Sequence, residues 1–181
     1  GGTLSAITSG TVPTATGGTI TVNANTVTLT TGASMTAAST GAGASGEVIV
    51  QGLASPASSV LIDGSGSGIF TNTSGTGQGG DIHLSANSVA LQNGSHISSS
   101  STGTGVAGDV TINAGNRFAM TNSSVTTEAN QSSGGAIKIT TNPDATVQLT
   151  NSTISASVLD GTGGGGSVNI DPQFVILQNS Q

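Results

Sequence analysis

The sequence predicts an all-β chain, folded as a parallel β-helix of about six coils with three short strands in each coil. A glycine pair, or a small-residue equivalent, recurs six times, and the same alternation of apolar and polar residues follows each copy. The second glycines stand at positions 18, 46, 80, 108, 135 and 166, which are 28, 34, 28, 27 and 31 residues apart. A repeat of this length is typical of a solenoid, in which each rung buries its apolar face only against neighbouring rungs.

The three strands follow one another in a fixed order within each repeat. In the repeat that begins at Gly79-Gly80, residues 81–86 form the first strand, 89–91 the second and 95–98 the third. Asn87-Ser88 is expected to turn the chain between the first two strands, and residues 99–106 form a polar return loop. Alternate residues of a strand point to the same side, which predicts the inward positions. These are Ile82, Leu84, Ala86, Val89, Leu91 and Ile97.

A corner asparagine precedes the third strand of most repeats. Asn93-Gly94 alone would indicate a β-hairpin, but the equivalent dipeptides carry serine at the second position. The recurring residue is asparagine, which predicts a stacked ladder formed by Asn93, Asn122, Asn151 and Asn179. The equal spacing favours parallel pairing of each strand with its next copy. The alternative fold is a β-sandwich. Where the chain bends sharply at the corners of a coil, glycines are expected to supply a positive φ.

Composition narrows the possible functions. Two basic residues against eight acidic ones leave no basic cluster for a phosphate backbone, which argues against nucleic-acid binding. The chain has no cysteine and no apolar run long enough for a transmembrane helix. It begins with glycine, so we expect residues 1–181 to be a single β-helix segment excerpted from a longer protein. Longer loops are expected near 52–59 and 157–164.

Three acidic residues share one outward position on consecutive rungs, namely Glu47, Asp81 and Asp109. Carboxylate oxygens in such a row are ligands that suit Ca²⁺, so a weak calcium site is one hypothesis and a solvated acidic strip is the other. No other cofactor is expected. His83 and His96 are predicted to face outward on different faces, so they cannot share a metal ion.

The remaining charges give little support to catalysis. Lys138 lies one rung beyond Thr111 and diagonal to Asp109, which predicts a weak surface ion pair. A polysaccharide lyase or hydrolase needs an acid/base pair in a groove, so we expect no enzyme activity. Ice binding is a lesser alternative, because the outward residues of the third strands are rich in hydroxyl groups. Phe70 and His96 interrupt that row.

Four segments, 67–72, 79–82, 91–98 and 166–177, resemble the shaft repeats of filamentous-haemagglutinin-like exoproteins of the two-partner secretion route. The resemblance extends from about residue 17 to the end of the chain. It implies a right-handed parallel β-helix that acts at the bacterial surface or after secretion as an adhesin. It also implies an outer-membrane barrel transporter for the parent protein. The Asn-Pro-rich signature of the family's secretion domain is missing, which indicates a distal part of the shaft.

The resemblance and the repeat together predict an extracellular β-helical shaft that presents an exposed surface and contributes to adhesion. The expected ligand is a component of another cell, of matrix or of a glycan. The alternative function is a structural spacer or a filament subunit, in which copies of the chain stack end to end. An open coil end favours such stacking, because it offers unpaired strand edges and apolar rungs.

Overall fold

A computed structural model of the chain describes residues 6–9, 14–160 and 163–181. These residues form sixteen β-strands and no helix, so no helix among them could span a membrane. The strands are β1 Ala6–Ser9, β2 Ile20–Asn23, β3 Thr26–Thr30, β4 Ser34–Ala37, β5 Val48–Gln51, β6 Ala57–Asp63, β7 Gly68–Phe70, β8 Ile82–Gln92, β9 His96–Ser98, β10 Val110–Thr121, β11 Ser124–Thr126, β12 Ala136–Thr140, β13 Thr146–Thr150, β14 Thr153–Ser155, β15 Ser167–Asp171 and β16 Phe174–Gln178.

All of the strand pairings are parallel, and each strand pairs with its copy one repeat later. Along the first strands, β2 pairs with β5, β5 with β8, β8 with β10, β10 with β12 and β12 with β15. The paired residues are 28, 34, 28, 27 and 31 positions apart, which are the spacings of the glycine pairs. The predicted parallel β-helix is therefore confirmed, and the hairpin and sandwich alternatives are excluded.

The strands define three outer surfaces, which we call faces one, two and three after the strand order within a coil. Face three is a separate sheet with the order β1-β4-β7-β9-β11-β14. Faces one and two join into a single ten-stranded sheet, because β8 and β10 each run through both of them. Five coils have all three faces, β1 belongs to the coil before them, and β15 and β16 belong to a sixth coil.

The corner between faces one and two differs from the prediction. Asn87-Ser88 lies inside β8 and bends the strand without interrupting it. The inward set changes phase there, because Ala86 and Val89 are both buried. In the next coil the register shifts between Ala114 and Arg117, where one more residue has to fit around the corner. A β-bulge of this kind bends a strand while its neighbours stay paired.

The interior is one apolar column that runs through coils one to five. In coil three, Ile82, Leu84, Val89, Leu91 and Ile97 are at most 1% exposed, as the alternation predicted. Equivalent side chains of neighbouring coils stack on them and form a single core cluster. Each fully buried side chain of this size contributes about 1.5–3 kcal/mol.

The predicted positive φ is present at the corner glycines Gly32, Gly64, Gly66 and Gly94, but the glycine pairs are needed for another reason. No glycine of these pairs has a positive φ among the described residues. From Gly46 onward, the second glycine of each pair instead lies against the backbone of the preceding coil. A Cβ on Gly80 would lie 1.8 Å from the Gly46 carbonyl oxygen, and a Cβ on Gly108 would lie 2.3 Å from that of Gly80. The pairs therefore mark the place where successive coils approach too closely for any side chain.

The return loops of successive coils stack on one another, and the sequence did not predict this stacking. Cβ atoms on Gly75 and Gly103 would each lie 1.9 Å from the carbonyl oxygen of the matching glycine one coil earlier. Parallel bridges also connect Ser39, Thr73, Ser101, Ala129 and Val158 in that order. The Gly-x-Gly spacing in these loops was the signal for this stacking, and it reflects close approach in the same way as the glycine pairs.

The corner asparagines share a left-handed backbone conformation. Asn93, Asn122, Asn151 and Asn179 have φ between 48° and 55°, and Thr31 has the same conformation in coil one. Asparagine tolerates this region better than other residues with a Cβ, which explains why it recurs. One rung of an amide ladder is present, where Asn179 Nδ2 donates to Asn151 Oδ1 at 3.2 Å.

Two longer connections leave the regular coil. Residues 52–56 project between β5 and β6, and Leu53 at their tip is 83% exposed. Residues 57–59 belong to β6, so this loop is shorter than the expected 52–59. In the second connection, Val158 still pairs with Ala129 and Leu159 is 70% exposed. Residues 161 and 162 of the expected 157–164 loop lie outside the described residues.

Candidate binding surfaces

The three acidic residues on face one act mainly as hydrogen-bond acceptors for the next coil. Asp81 Oδ1 accepts a hydrogen bond from the Asp109 amide at 2.8 Å, and Asp109 Oδ1 accepts one from the Ala136 amide at 2.7 Å. Glu47 Oε1 lies 3.3 Å from His83 Nε2. The acidic residues therefore link successive coils. Each aspartate accepts a hydrogen bond from a backbone amide of the next coil, which would otherwise face solvent.

This arrangement offers no ready calcium site. Among residues 6–9, 14–160 and 163–181, no group of three or more His, Asp or Glu side chains is placed to hold a metal ion. Two of the three predicted ligands already use a carboxylate oxygen on a backbone amide. The calcium hypothesis therefore gains no ligand set from the geometry and stays a prediction.

Both basic side chains are exposed, but the predicted partner of Lys138 is absent. Lys138 pairs in register with Thr111, yet no carboxylate oxygen of the described residues lies within 4.0 Å of its amino group. The predicted ion pair with Asp109 is therefore wrong, because that carboxylate turns toward the next coil's amide. Arg117 Nη2 donates to Gln148 Oε1 at 3.2 Å across two coils of face two.

Face three presents a row of hydroxyl groups with one histidine. His96 Nδ1 lies 2.6 Å from Ser124 Oγ on the next coil, and both groups are on the outer surface. His83 is on face one, so the two histidines lie on different faces, as predicted. No carboxylate of the described residues forms an ion pair with His96. The arrangement is a surface hydrogen bond between neighbouring rungs.

Phe70 breaks the polar row of face three in a particular way. It lies two residues after Gly68 on the outer side of β7, and it is half-buried. A Cβ on Gly68 would lie 2.5 Å from Phe70 Cζ and 2.8 Å from Cε2. The ring therefore folds back along the strand and lies over the backbone of Gly68. The sequence predicted Phe70 only as an interruption of the hydroxyl row, although the glycine two residues earlier was a signal for this placement.

A shallow groove crosses coils one to three beside Asn72. Asn72 follows Phe70 by two residues, and its Oδ1 accepts hydrogen bonds from Ser98 Oγ at 3.1 Å and from the Ser100 amide at 3.0 Å. No ionisable side chain lines this groove. Its lining residues are Ala38, Ser39, Thr40, Asn72, Thr73, Ser74, Ser100 and Thr102.

Hydroxyl groups also line the interior next to the return loops. Thr71 Oγ1 and Ser99 Oγ both donate to the Gly80 carbonyl oxygen, at 2.5 and 2.7 Å, and Thr127 Oγ1 donates to Gly135 at 2.9 Å. These bonds join face three to the glycine pairs across the coil. Thr73 Oγ1 and Ser101 Oγ are buried in the same region without a hydrogen-bond partner.

The sequence matches no family model, and no curated protein or solved structure matches it either. The architecture is established as a parallel β-solenoid, in which strands of neighbouring coils pair in parallel. The similarity of four segments to filamentous-haemagglutinin-like exoproteins stays a prediction.

Proposed function

We propose that this chain is a stretch of β-helical shaft from a secreted or cell-surface bacterial adhesin. The parallel pairing of strands between every two neighbouring coils from β2 to β16 supports this function most directly. A rod built in this way lengthens by about 4.8 Å with every coil, so it carries attached surfaces away from its anchor. Backbone hydrogen bonds between coils run along the rod axis, which suits a molecule that resists extension.

The surface of the rod also suits a presenting role. The outward positions of most coils are small and polar, whereas Leu53 and Leu159 stand out from the corners at 83% and 70% exposure. Exposed apolar side chains on connections between rungs are the kind of feature that contacts other molecules. In this proposal the chain works outside the cell, the parent protein is exported by an outer-membrane barrel transporter, and the chain carries no catalysis.

Adhesion can be measured with beads that carry the 181-residue chain. We expect these beads to stay on epithelial monolayers or on immobilised matrix proteins under flow, while albumin-coated beads detach. A double variant, Leu53→Ser with Leu159→Ser, tests whether the projecting connections make the contact. If the beads with the unaltered chain detach as readily as the albumin beads, the adhesive function is refuted and the spacer alternative gains support.

A filament subunit or spacer is the second candidate, and coil six provides the observation that favours it. Val168, Val175 and Leu177 occupy inward positions of that coil, yet they are 45%, 46% and 55% exposed. A further coil, from the parent protein or from a second copy, would bury them. Light scattering over a range of concentrations measures self-stacking, and a constant monomer mass at the highest concentration would contradict it.

A further inference from the structure

We propose that Asn93 is a latent site of spontaneous deamidation, which the fold keeps unreactive by holding the two reacting groups toward different coils. Asn93-Gly94 is the only Asn-Gly dipeptide in the sequence. It lies at the corner between β8 and β9 of coil three, where the asparagine is exposed to water. This modification site is independent of the proposed adhesive function.

The reaction needs only the dipeptide itself and water. The backbone nitrogen of Gly94 loses its proton to solvent base and attacks Asn93 Cγ. The new N–C bond closes a succinimide ring, and the side-chain nitrogen takes up a proton from water and leaves as ammonia. Water then opens one of the two C–N bonds of the ring, which gives aspartate or isoaspartate. Glycine has no Cβ to obstruct the attack, whereas a serine follows Asn122, Asn151 and Asn179.

Hydrogen bonds to two different coils hold the reacting groups. Asn93 Nδ2, the leaving group, donates to Asp63 Oδ1 of coil two at 2.7 Å. The amide of Gly94, the attacking group, donates to the Asn122 carbonyl oxygen of coil four at 2.7 Å. Attack requires the reacting atoms to be aligned within about 3–3.5 Å. The side chain is held toward the preceding coil and the attacking nitrogen keeps its proton bonded toward the following one, so the corner has to open first.

The backbone of the corner is fixed as well. Asn93 and Gly94 have φ of 55° and 82°, so two consecutive residues are in the left-handed region. The amide of Asn93 donates to the Thr121 carbonyl oxygen of coil four at 3.1 Å, which ties both residues of the dipeptide to the same neighbouring coil. Rotation toward the cyclic intermediate therefore requires local release of this corner, and the free energy of that opening limits the rate in the folded chain.

The products would weaken the contact between coils two and three. An aspartate at position 93 would place a carboxylate where Asp63 now accepts a hydrogen bond, and the two like charges would repel each other. Isoaspartate would also add an atom to the main chain at a corner where Asp63 and Gln92 pair in register. Deamidation at this one corner would therefore loosen the stack.

The test is to incubate the full 181-residue chain in alkaline buffer, folded and in concentrated urea, and to follow each asparagine by tandem mass spectrometry of proteolytic peptides. In urea, Asn93 should convert faster than Asn122, which is the internal reference. In the folded chain, conversion at Asn93 should be at least about tenfold slower than in urea. Conversion in urea no faster than at Asn122 would refute the site, and equal rates in urea and in the folded chain would refute the protection.

Two substitutions test the bond that holds the side chain. Asp63→Ala should raise conversion at Asn93 several-fold in the folded chain and leave Asn122 unchanged, because only the acceptor of Asn93 Nδ2 is removed. Asp171→Ala, which removes an exposed carboxylate from coil six, is the matched control and should change neither rate. Circular dichroism confirms that each variant keeps its strands. An unchanged rate in Asp63→Ala, an equal rise at Asn93 and Asn122, or an equal rise in Asp171→Ala would overturn the protective role of Asp63.

The consequence of the reaction is tested with the product residue. Asn93→Asp should lower the urea midpoint of unfolding more than Asn122→Asp does, because only the first places a carboxylate beside Asp63. Equal shifts in the two variants would refute the proposed loosening of the corner.

Discussion

Two buried threonines, two positions apart in coil two, are expected to respond in opposite directions to the same substitution. Thr73 and Thr71 are 1% and 0% exposed, but Thr71 Oγ1 donates to the Gly80 carbonyl oxygen whereas Thr73 Oγ1 has no hydrogen-bond partner. Valine has nearly the same shape as threonine and suits an extended backbone. Thr73→Val therefore removes a buried, unpaired hydroxyl group, which costs about 1–3 kcal/mol when it is left unsatisfied.

We expect Thr73→Val to raise the free energy of unfolding by about 1 kcal/mol, the low end of that range. Thr71→Val should lower it by about 1 kcal/mol, the net value of one hydrogen bond. The loss is not larger because the Gly80 carbonyl keeps the bond from Ser99 Oγ at 2.7 Å. Urea denaturation followed by circular dichroism measures both values under one set of conditions. A loss of 1 kcal/mol or more in Thr73→Val (on the order of one hydrogen bond) would refute the reasoning, since it would show that the hydroxyl has a stabilising partner.

Three further outcomes follow from the same structure. Gly80→Ala should lower the free energy of unfolding by more than about 3 kcal/mol, because its Cβ would lie 1.8 Å from a backbone oxygen of the preceding coil. Gly165→Ala is its control and should be neutral or stabilising by up to about 1 kcal/mol in the same urea titration, because no atom lies within 4 Å of a Cβ there. Asn122→Ala should cost about 1–2 kcal/mol and Asn122→Gly much less, because φ is 51° at this corner; equal losses would contradict the conformational explanation. Millimolar Ca²⁺ should leave the thermal midpoint unchanged, whereas Asp109→Ala should lower the free energy of unfolding by about 1 kcal/mol, because the Ala136 amide loses its acceptor. A calcium-dependent rise of the midpoint that Asp81→Ala removes would instead support the metal hypothesis.

The candidate site was harder to predict than the fold. The sequence predicted that Phe70 interrupts the outward row of face three, but it made no prediction for Asn72, two residues later. What the sequence could not provide is the direction of the ring over Gly68 or the bonds that orient Asn72, since these depend on Ser98 and Ser100 one coil later. The Lys138–Asp109 pair failed for a related reason. Proximity in register does not decide which donor a carboxylate accepts from, and the nearer donor was a backbone amide.

The sequence by itself determined the coil architecture, the repeat lengths and the inward set of each strand. It could do so because parallel stacking makes every coil bury the same positions. The same alternation of apolar and polar residues therefore recurs in each repeat. Only the tertiary structure showed the physical reason for each recurring glycine. The spacing alone could not distinguish a glycine needed for positive φ from one needed for close approach, and the difference lies in a carbonyl oxygen of another coil. The stacking of the return loops was decided in the same way, because it arises from bridges between residues 28 to 34 positions apart.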